Sequence, residues 1–179
     1  YEMQLKELPF DALIPELKLK KVAFVAAGMT ETPERKKVVD FSLAYLEGSP
    51  LCLVYSETKF QNLTLDDLSI LRVVVNDAYT ADNFVTDNLK LTPIRLATPV
   101  DAMIALQSNR ADVFVTAKDT LSALLSKKEY ANYSSSPIEG TKENCAIMLP
   151  KGSSLKKTLN LTLQAMKNDG TIKELKTKW

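Results

Sequence analysis

The chain has 179 residues, of which 23 are basic and 22 acidic, giving a formal net charge of +1. Its hydrophobic fraction of 45% and charged fraction of 25% are typical of a globular protein and exclude disordered, collagen-like and coiled-coil classes. The balanced charge argues against a nucleic-acid-binding protein, because binding phosphates needs an excess of Lys and Arg. Histidine is absent, which excludes His bases, Ser-His and Cys-His nucleophiles and His metal ligands.

The cysteines and the distribution of apolar residues indicate which kinds of metal site and membrane segment the chain lacks. Cys52 and Cys145 are far apart in sequence and neither has a CxxC partner, so we predict no zinc or iron-sulfur site and no cofactor. Each lies in an apolar run, which favours burial as a small hydrophobic residue over a disulfide. No apolar stretch approaches the roughly 20 residues that a membrane span needs.

The first three predicted elements form a strand, a helix and a second strand. Apolar and polar residues alternate over residues 1–8, which predicts a strand with one face in water. Apolar residues recur at helical spacing over 10–19, and the wholly apolar run 22–27 is typical of a strand covered on both faces. This order predicts a right-handed parallel crossover unit.

The same alternation returns in the middle of the chain. The pattern predicts strands at 71–75, 94–97 and 111–116, with helices at 81–88 and 100–108 following the first two.

Another helix, a polar loop, a strand and two terminal helices complete the prediction. The helix runs through Leu121, Leu124 and Leu125, the loop covers 130–144, and the strand covers 145–149. The closing helices are separated at Gly170, as expected for a glycine after a helix end. We interpret the extended stretches 51–56 and 145–149 as two hinge strands that run side by side and connect two α/β lobes.

Residues 26–42, with the sequence AAGMTETPERKKVVDFS, form the most informative segment. An apolar strand ends at Gly28, where a ligand can approach the backbone, and Thr30 adds a hydroxyl. Thr32 is a good N-cap and Pro33 fits the first helical position. Arg35 then falls in the first helical turn, where it can grip a carboxylate with two parallel hydrogen bonds. The alternative interpretation is a surface arginine on a short helix.

This segment resembles the GMT-x-TPER-[KR]-x-x-x-DFS signature of the bacterial extracellular or periplasmic solute-binding proteins, family 3, which deliver polar amino acids to ABC transporters. Segments 10–15, 63–68, 110–113, 169–171 and 178–179 agree with the family in order. The resemblance implies an α/β type II periplasmic binding protein fold, with two lobes joined by two hinge strands around the ligand. We expect lobe 1 to comprise residues 1–54 and 146–179, and lobe 2 residues 55–145.

The resemblance also implies a role and a set of ligand contacts. The role is a soluble substrate-binding component of an ABC importer, without enzymatic activity, that closes on a polar amino acid or related carboxylate and contacts permease subunits. The location is periplasmic or extracytoplasmic, with a signal peptide and a possible lipid anchor in the precursor. From the first lobe, the family's contacts are the backbone of Ala27 and Gly28, the Thr30 hydroxyl, and Arg35 on the ligand's α-carboxylate.

From the second lobe, the resemblance implies that Thr80 meets the same carboxylate and that Tyr79 walls the site. Ala117 stands where the family has an aspartate that pairs with the ligand's α-ammonium. Asp77, Asp119 or Glu143 could substitute for it; otherwise the ligand is not an ordinary α-amino acid, because a buried ammonium without a partner costs several kcal/mol.

A second departure concerns the start of the chain. Family members begin with a strand and a helix that precede the strand predicted at 1–8, and the strand lies inside the first-lobe sheet. We therefore expect a truncated or partly ordered chain, or a strand borrowed from another copy in a strand-exchanged dimer. The fold leaves two other functions open: a ligand-sensing receptor domain and an enzyme similar to cyclohexadienyl dehydratase.

Overall fold

The part of the chain that the structure describes contains seven strands and seven α-helices, which alternate only from β3 to α5. The computed structural model describes residues 3–178, apart from the side chain of Ala123. The strands are β1 (Asp40–Ser49), β2 (Leu51–Ser56), β3 (Val73–Asn76), β4 (Ile94–Leu96), β5 (Val113–Ala117), β6 (Tyr133–Pro137) and β7 (Glu143–Leu149). The α-helices are α1 (Leu13–Lys18), α2 (Pro33–Val38), α3 (Thr80–Asn83), α4 (Pro99–Gln107), α5 (Lys118–Leu125), α6 (Leu155–Asn168) and α7 (Thr171–Lys178).

The described chain divides into two compact units. The terminal unit comprises the chain up to Gly48 and from Asn144 onward, and the central unit comprises Ser49–Glu143. The lobe boundaries expected from the sequence lay at 54/55 and 145/146, whereas the units change at 48/49 and 143/144. The strands that carry the chain across these two points are β1 and β7.

The terminal unit is built around the pairing of β1 with β7. The segment before α2 lies against β7 through single antiparallel bridges, Val25 to Met148 and Thr30 to Cys145. Its core is formed by buried apolar side chains from the first helix, this segment and the two strands: Leu13, Leu17, Val25, Met29, Val39, Phe41, Ala146 and Met148. The helix predicted at 10–19 is confirmed as a 3-10 turn, Phe10–Ala12, continued by α1.

The two strands predicted at 1–8 and 22–27 are wrong. Residues 3–8 form no strand, and residues 1 and 2 lie outside the described part. Of residues 22–27 only Val25 makes a strand-like bridge, so no parallel crossover unit forms. Met3 and Leu5 are 71% and 89% exposed. Alternation selects which face of a strand is buried, but a strand also needs a neighbour that pairs with its backbone groups.

The side-by-side hinge pair predicted at 51–56 and 145–149 is also wrong. The first stretch is β2, which pairs with β5 and β6 inside the central unit, and the second belongs to β7, which pairs with β1. Cys52 and Cys145 therefore lie in different units; both are buried free thiols, as their apolar surroundings predicted. The missed partner is β1, whose burial pattern is mixed and shows no clean period of two.

The central unit contains a five-stranded sheet in the order β4-β3-β5-β2-β6. Strand β3 runs parallel to β4 and β5, whereas β2 is antiparallel to β5 and β6. The three parallel strands are those predicted from the sequence, and α3, α4 and α5 follow them. The helices therefore start at the carboxyl edge of the sheet, where α/β proteins usually bind ligands.

The polar loop predicted at 130–144 is wrong because it contains β6 and the first two residues of β7. Strand β6 has the sequence YSSSP, which has little intrinsic strand preference. Its pairing with β2, for example Val54 opposite Ser135, forms the strand. No helix within residues 3–178 is both long and apolar enough to cross a membrane.

Candidate functional site

The first turn of α2 holds Arg35 in a defined position. The Thr32 side chain accepts a hydrogen bond from the Arg35 N–H at 3.2 Å, and Pro33 occupies the first helical position, as predicted. Arg35 is only 8% exposed, its Nη1 donates to the Thr30 carbonyl at 2.7 Å, and its guanidinium lies 5.8 Å from the centre of the Phe10 ring. The alternative interpretation as a solvated surface arginine is therefore wrong.

Two glutamates of the same segment have partners within it. Glu31 pairs with Lys36 at 3.0 Å. The Glu34 backbone N–H and the Thr32 hydroxyl hold the pKa of the Glu34 carboxyl below its usual value. These hydrogen bonds favour the ionised form of Glu34 at the start of α2.

Gly28 is tied to both strands of the terminal unit. Its φ of +61° lies in the left-handed region that favours glycine. Its N–H donates to the Tyr45 hydroxyl on β1 at 3.1 Å, and its carbonyl accepts from the Cys145 thiol on β7 at 3.3 Å. Ala27 beside it is exposed, whereas Thr30 is buried. The structure therefore places the four predicted residues of this unit along one short segment, and it adds Tyr45 and Cys145, for which the sequence carried no signal.

In the central unit, Tyr79 and Thr80 lie where β3 leads into α3. Tyr79 is the N-cap residue and Thr80 the first helical residue, both half-buried. Burial raises the pKa of the Tyr79 phenol. The preceding Ala78 has a φ of +62°, an unusual conformation for a residue with a side chain. The helix continues as a π-helical segment over Phe84–Asn88.

An ion pair connects this turn to the neighbouring strand. Arg95 Nε donates to Asp82 Oδ2 at 2.8 Å, and the Thr86 hydroxyl donates to Asp82 Oδ1 at 3.0 Å. Asp82 is buried, and it raises the pKa of the Arg95 guanidinium chiefly through this hydrogen bond. The Asp82 carboxylate therefore has protein partners for both of its oxygens.

Ala117 ends β5 and serves as the N-cap of α5, without a side chain that could cap it. Of the three carboxylates considered as substitutes, Asp77 and Asp119 are exposed and Glu143 is buried at the start of β7. The carboxyl edge of the central sheet thus has no buried carboxylate at the position of the family's aspartate.

Two further polar residues at this edge were missed by sequence reasoning. Asn76 ends β3 and Thr116 precedes Ala117 on β5, and each is 1% exposed. The Asn76 Oδ1 and Thr116 Oγ1 atoms have no hydrogen-bond partner in the described chain. The only sequence signal was a polar residue at the end of an apolar strand.

Comparisons with known proteins agree over the whole chain. The family model of the bacterial extracellular solute-binding proteins, family 3, matches residues 1–179. The ABC transporter glutamine-binding protein GlnH of Bacillus subtilis is 28% identical over 177 residues, covering 98% of this chain and 64% of that protein. The putative ABC transporter arginine-binding protein 2 of Escherichia coli is 31% identical over 182 residues, covering 95% of this chain and 71% of that protein.

Among solved structures, the P235GK mutant of ArgBP from T. maritima has a TM-score of 0.91 at 30% identity, covering 99% of this chain and 77% of that chain. All three relatives are longer than this chain, which spans about two thirds of the length of the two curated ones.

Proposed function

Because this chain belongs to the bacterial extracellular solute-binding proteins, family 3, and has their type II periplasmic binding protein fold, we propose that it binds a polar amino acid or a related small carboxylate for an ABC importer. The curated relatives are named as amino-acid-binding proteins of ABC transporters, which supports a binding role. The observation that carries the proposal is the buried and oriented guanidinium of Arg35.

Arg35 is proposed to hold the carboxylate of the ligand. Guanidinium and carboxylate match in a planar, two-bond geometry, and a guanidinium that is already held loses little side-chain freedom on binding. The Thr30 carbonyl, the Thr32 cap and the Phe10 ring supply that orientation. The backbone of Ala27 and Gly28, two exposed residues, and the hydroxyl of the buried Thr30 are proposed as further contacts of the terminal unit.

Tyr79, Thr80 and Ala117 are proposed as the contacts of the central unit. All three lie at the carboxyl edge of the parallel strands, which supports their assignment. We propose that Thr80 donates to the ligand carboxylate through its hydroxyl and backbone N–H, that Tyr79 walls the site, and that Ala117 contacts the ligand at the position of the family's aspartate. The α-ammonium of an amino-acid ligand then pairs with one of Asp77, Asp119 and Glu143.

Substitution of Arg35 tests the proposal. We expect Arg35→Ala to weaken binding of the solute at least about 30-fold, since removing a charged hydrogen-bonding partner typically costs about 2–5 kcal/mol. Isothermal titration of the purified protein with L-glutamine and L-arginine measures the affinity, and mass spectrometry of any solute released by denaturation identifies a co-purified ligand.

Lys37→Ala is the matched control, because Lys37 lies on the same helix and is exposed. It should leave the affinity unchanged. A loss of less than threefold in Arg35→Ala, with an unchanged melting temperature, would contradict the assignment.

The remaining proposals concern location and partners. We propose an extracytoplasmic protein, lipid-anchored in its precursor, that contacts ABC permease subunits and has no enzymatic activity. A strand-exchanged dimer is tested by light scattering of the purified chain: a molar mass of one chain over the micromolar range would exclude it.

A further inference from the structure

Two buried polar atoms without a hydrogen-bond partner in the described chain belong to residues near the carboxyl ends of β3 and β5. Strands β3 and β5 are parallel, with Val73 opposite Val113 and Val74 opposite Phe114. The ladder ends there, and its register extended by two residues would bring Asn76 and Thr116 to the same level of the two strands. Their atoms Oδ1 and Oγ1 have no hydrogen-bond partner in the described chain, although both residues are 99% buried.

Both side chains lie on the same face of the sheet. Residues alternate between faces along a strand, so Asn76 and Thr116 share the face of Val74 and Phe114. These two apolar residues pack with side chains of α4 and α5. The Asn76 Nδ2 donates to the Leu96 carbonyl at 3.1 Å, which orients Oδ1 as an acceptor on this edge.

Unpartnered buried polar atoms destabilise a folded protein, and native structures contain few of them. Valine has nearly the shape of threonine and would fill the Thr116 position without that penalty. The Thr116 hydroxyl and the Asn76 carbonyl oxygen therefore point to a bound group that donates hydrogen bonds.

The charges at this edge favour an uncharged donor. Helices α4 and α5, of nine and eight residues, both begin here, and the positive ends of their dipoles disfavour a cation. Ala117 lacks a carboxylate, and solvent screens the charge of the exposed Lys118 next to it. Asp77 and Asp119 are exposed, so solvent screens their attraction. An ammonium would be buried here against neutral acceptors only, which is costly.

We propose that Asn76 and Thr116 form a subsite for an uncharged N–H donor of the ligand, such as a side-chain carboxamide. The inference rests on the proposed function and narrows the ligand to carboxamide amino acids in preference to cationic ones. Asn76 accepts through Oδ1 and Thr116 through Oγ1, so one NH₂ group can satisfy both atoms.

Three amino acids of equal chain length test the subsite. L-glutamine carries a neutral NH₂ group, L-ornithine has an ammonium at the same position, and L-glutamate has no donor there. We expect the unmodified protein to bind L-glutamine at least about tenfold more tightly than either analogue in isothermal titration.

Substitutions at the two residues report on the subsite directly. Thr116→Val should raise the melting temperature of the protein without added ligand and weaken L-glutamine binding, whereas Thr116→Ser should keep the binding. Asn76→Asp should shift the preference toward L-ornithine, because it replaces a neutral acceptor by an anionic one of the same shape. Thr86→Val is the control: its hydroxyl already donates to Asp82, so it should lower the melting temperature and leave the preference unchanged.

The outcomes separate the subsite from the general function. Binding of none of the three amino acids, nor of L-arginine, would count against the proposed function itself. Binding of L-ornithine or L-glutamate as tightly as L-glutamine would overturn the subsite and leave the general function standing. An unchanged L-glutamine affinity in Thr116→Val would also overturn it, whichever way the melting temperature moves.

Discussion

At the scale of single residues, Ala78 shows a local conflict between sequence and backbone. Its φ of +62° places a Cβ in the left-handed region, which costs about 1–2 kcal/mol for a residue other than glycine. The conformation is nevertheless required, because the turn brings the Tyr79 N–H to the Asn76 carbonyl at 3.2 Å and leads directly into α3.

We therefore expect Ala78→Gly to stabilise the protein by about 0.5–1 kcal/mol, since the relief of strain exceeds the extra entropy of glycine in the unfolded chain. Chemical denaturation measures the free energy of unfolding. Ala131→Gly is the control and should be destabilising, because Ala131 has a φ of −59° that alanine adopts without strain. Equal effects of the two substitutions would contradict the strain argument.

The proposed binding residues also differ in how far the sequence could predict their surroundings. The cap formed by Thr32 and Pro33, which places Arg35 in the first turn of α2, depends on neighbours within three residues, so the local sequence predicts it. The contact of the Arg35 guanidinium with the Phe10 ring depends on the tertiary structure. Gly28 is hydrogen-bonded to Tyr45, 17 positions away on β1, and to Cys145, 117 positions away on β7. The two strands bring these partners to Gly28. No local pattern contains that information.

At the scale of elements, an ion pair connects the beginnings of β3 and β5. Arg72 Nε and Nη2 donate to the two Asp112 carboxylate oxygens at 2.8 and 2.7 Å, and the Arg72 backbone N–H also donates to this carboxylate. The hydrogen bonds from Arg72 hold the pKa of the Asp112 carboxyl below its usual value. The pair thus holds two parallel strands in register just before their ladder begins.

This lowered pKa makes the contribution of Asp112 depend on pH. The stabilisation is fully present above the unfolded-state pKa of about 3.9 and is lost as the pH falls through the lower folded-state value. We expect Asp112→Asn to lower the melting temperature at pH 7 and to have progressively less effect below pH 4. Thermal melts between pH 2 and 7 measure this, and a difference that stayed constant over the range would contradict it.

Elements differ in how well the sequence predicts them. The strands β3, β4 and β5 and their following helices were predicted correctly because each has its own strong apolar pattern and turn residues. Strand β6, with its three serines, forms because β2 supplies a paired neighbour, and the strand expected at 1–8 fails because residues 3–8 pair with none. A strand is stabilised by its partners, which a single segment does not specify.

At the scale of the whole molecule, protection of the backbone should differ between segments. Strands β2 and β5 are buried and paired on both sides in the five-stranded sheet, whereas residues 3–8 are mostly exposed and belong to no strand. We expect hydrogen exchange to be slowest in β2 and β5 and fastest in residues 3–8, because exchange follows the free energy of local opening. Mass spectrometry of proteolytic fragments measures it, and slow exchange in residues 3–8 would show that this segment has a backbone partner.

The sequence by itself determined the fold family, the α/β class and the position of Arg35, because these depend on a continuous motif and on periodic apolar patterns that are local in the chain. The tertiary structure alone decided the partners of β2 and β7, the points at which the chain passes between units, and the burial of Asn76 and Thr116 at the ends of neighbouring strands. These features join residues tens of positions apart. Which segments pair is set by the summed burial and hydrogen bonding of the whole chain, and no window of sequence contains that sum.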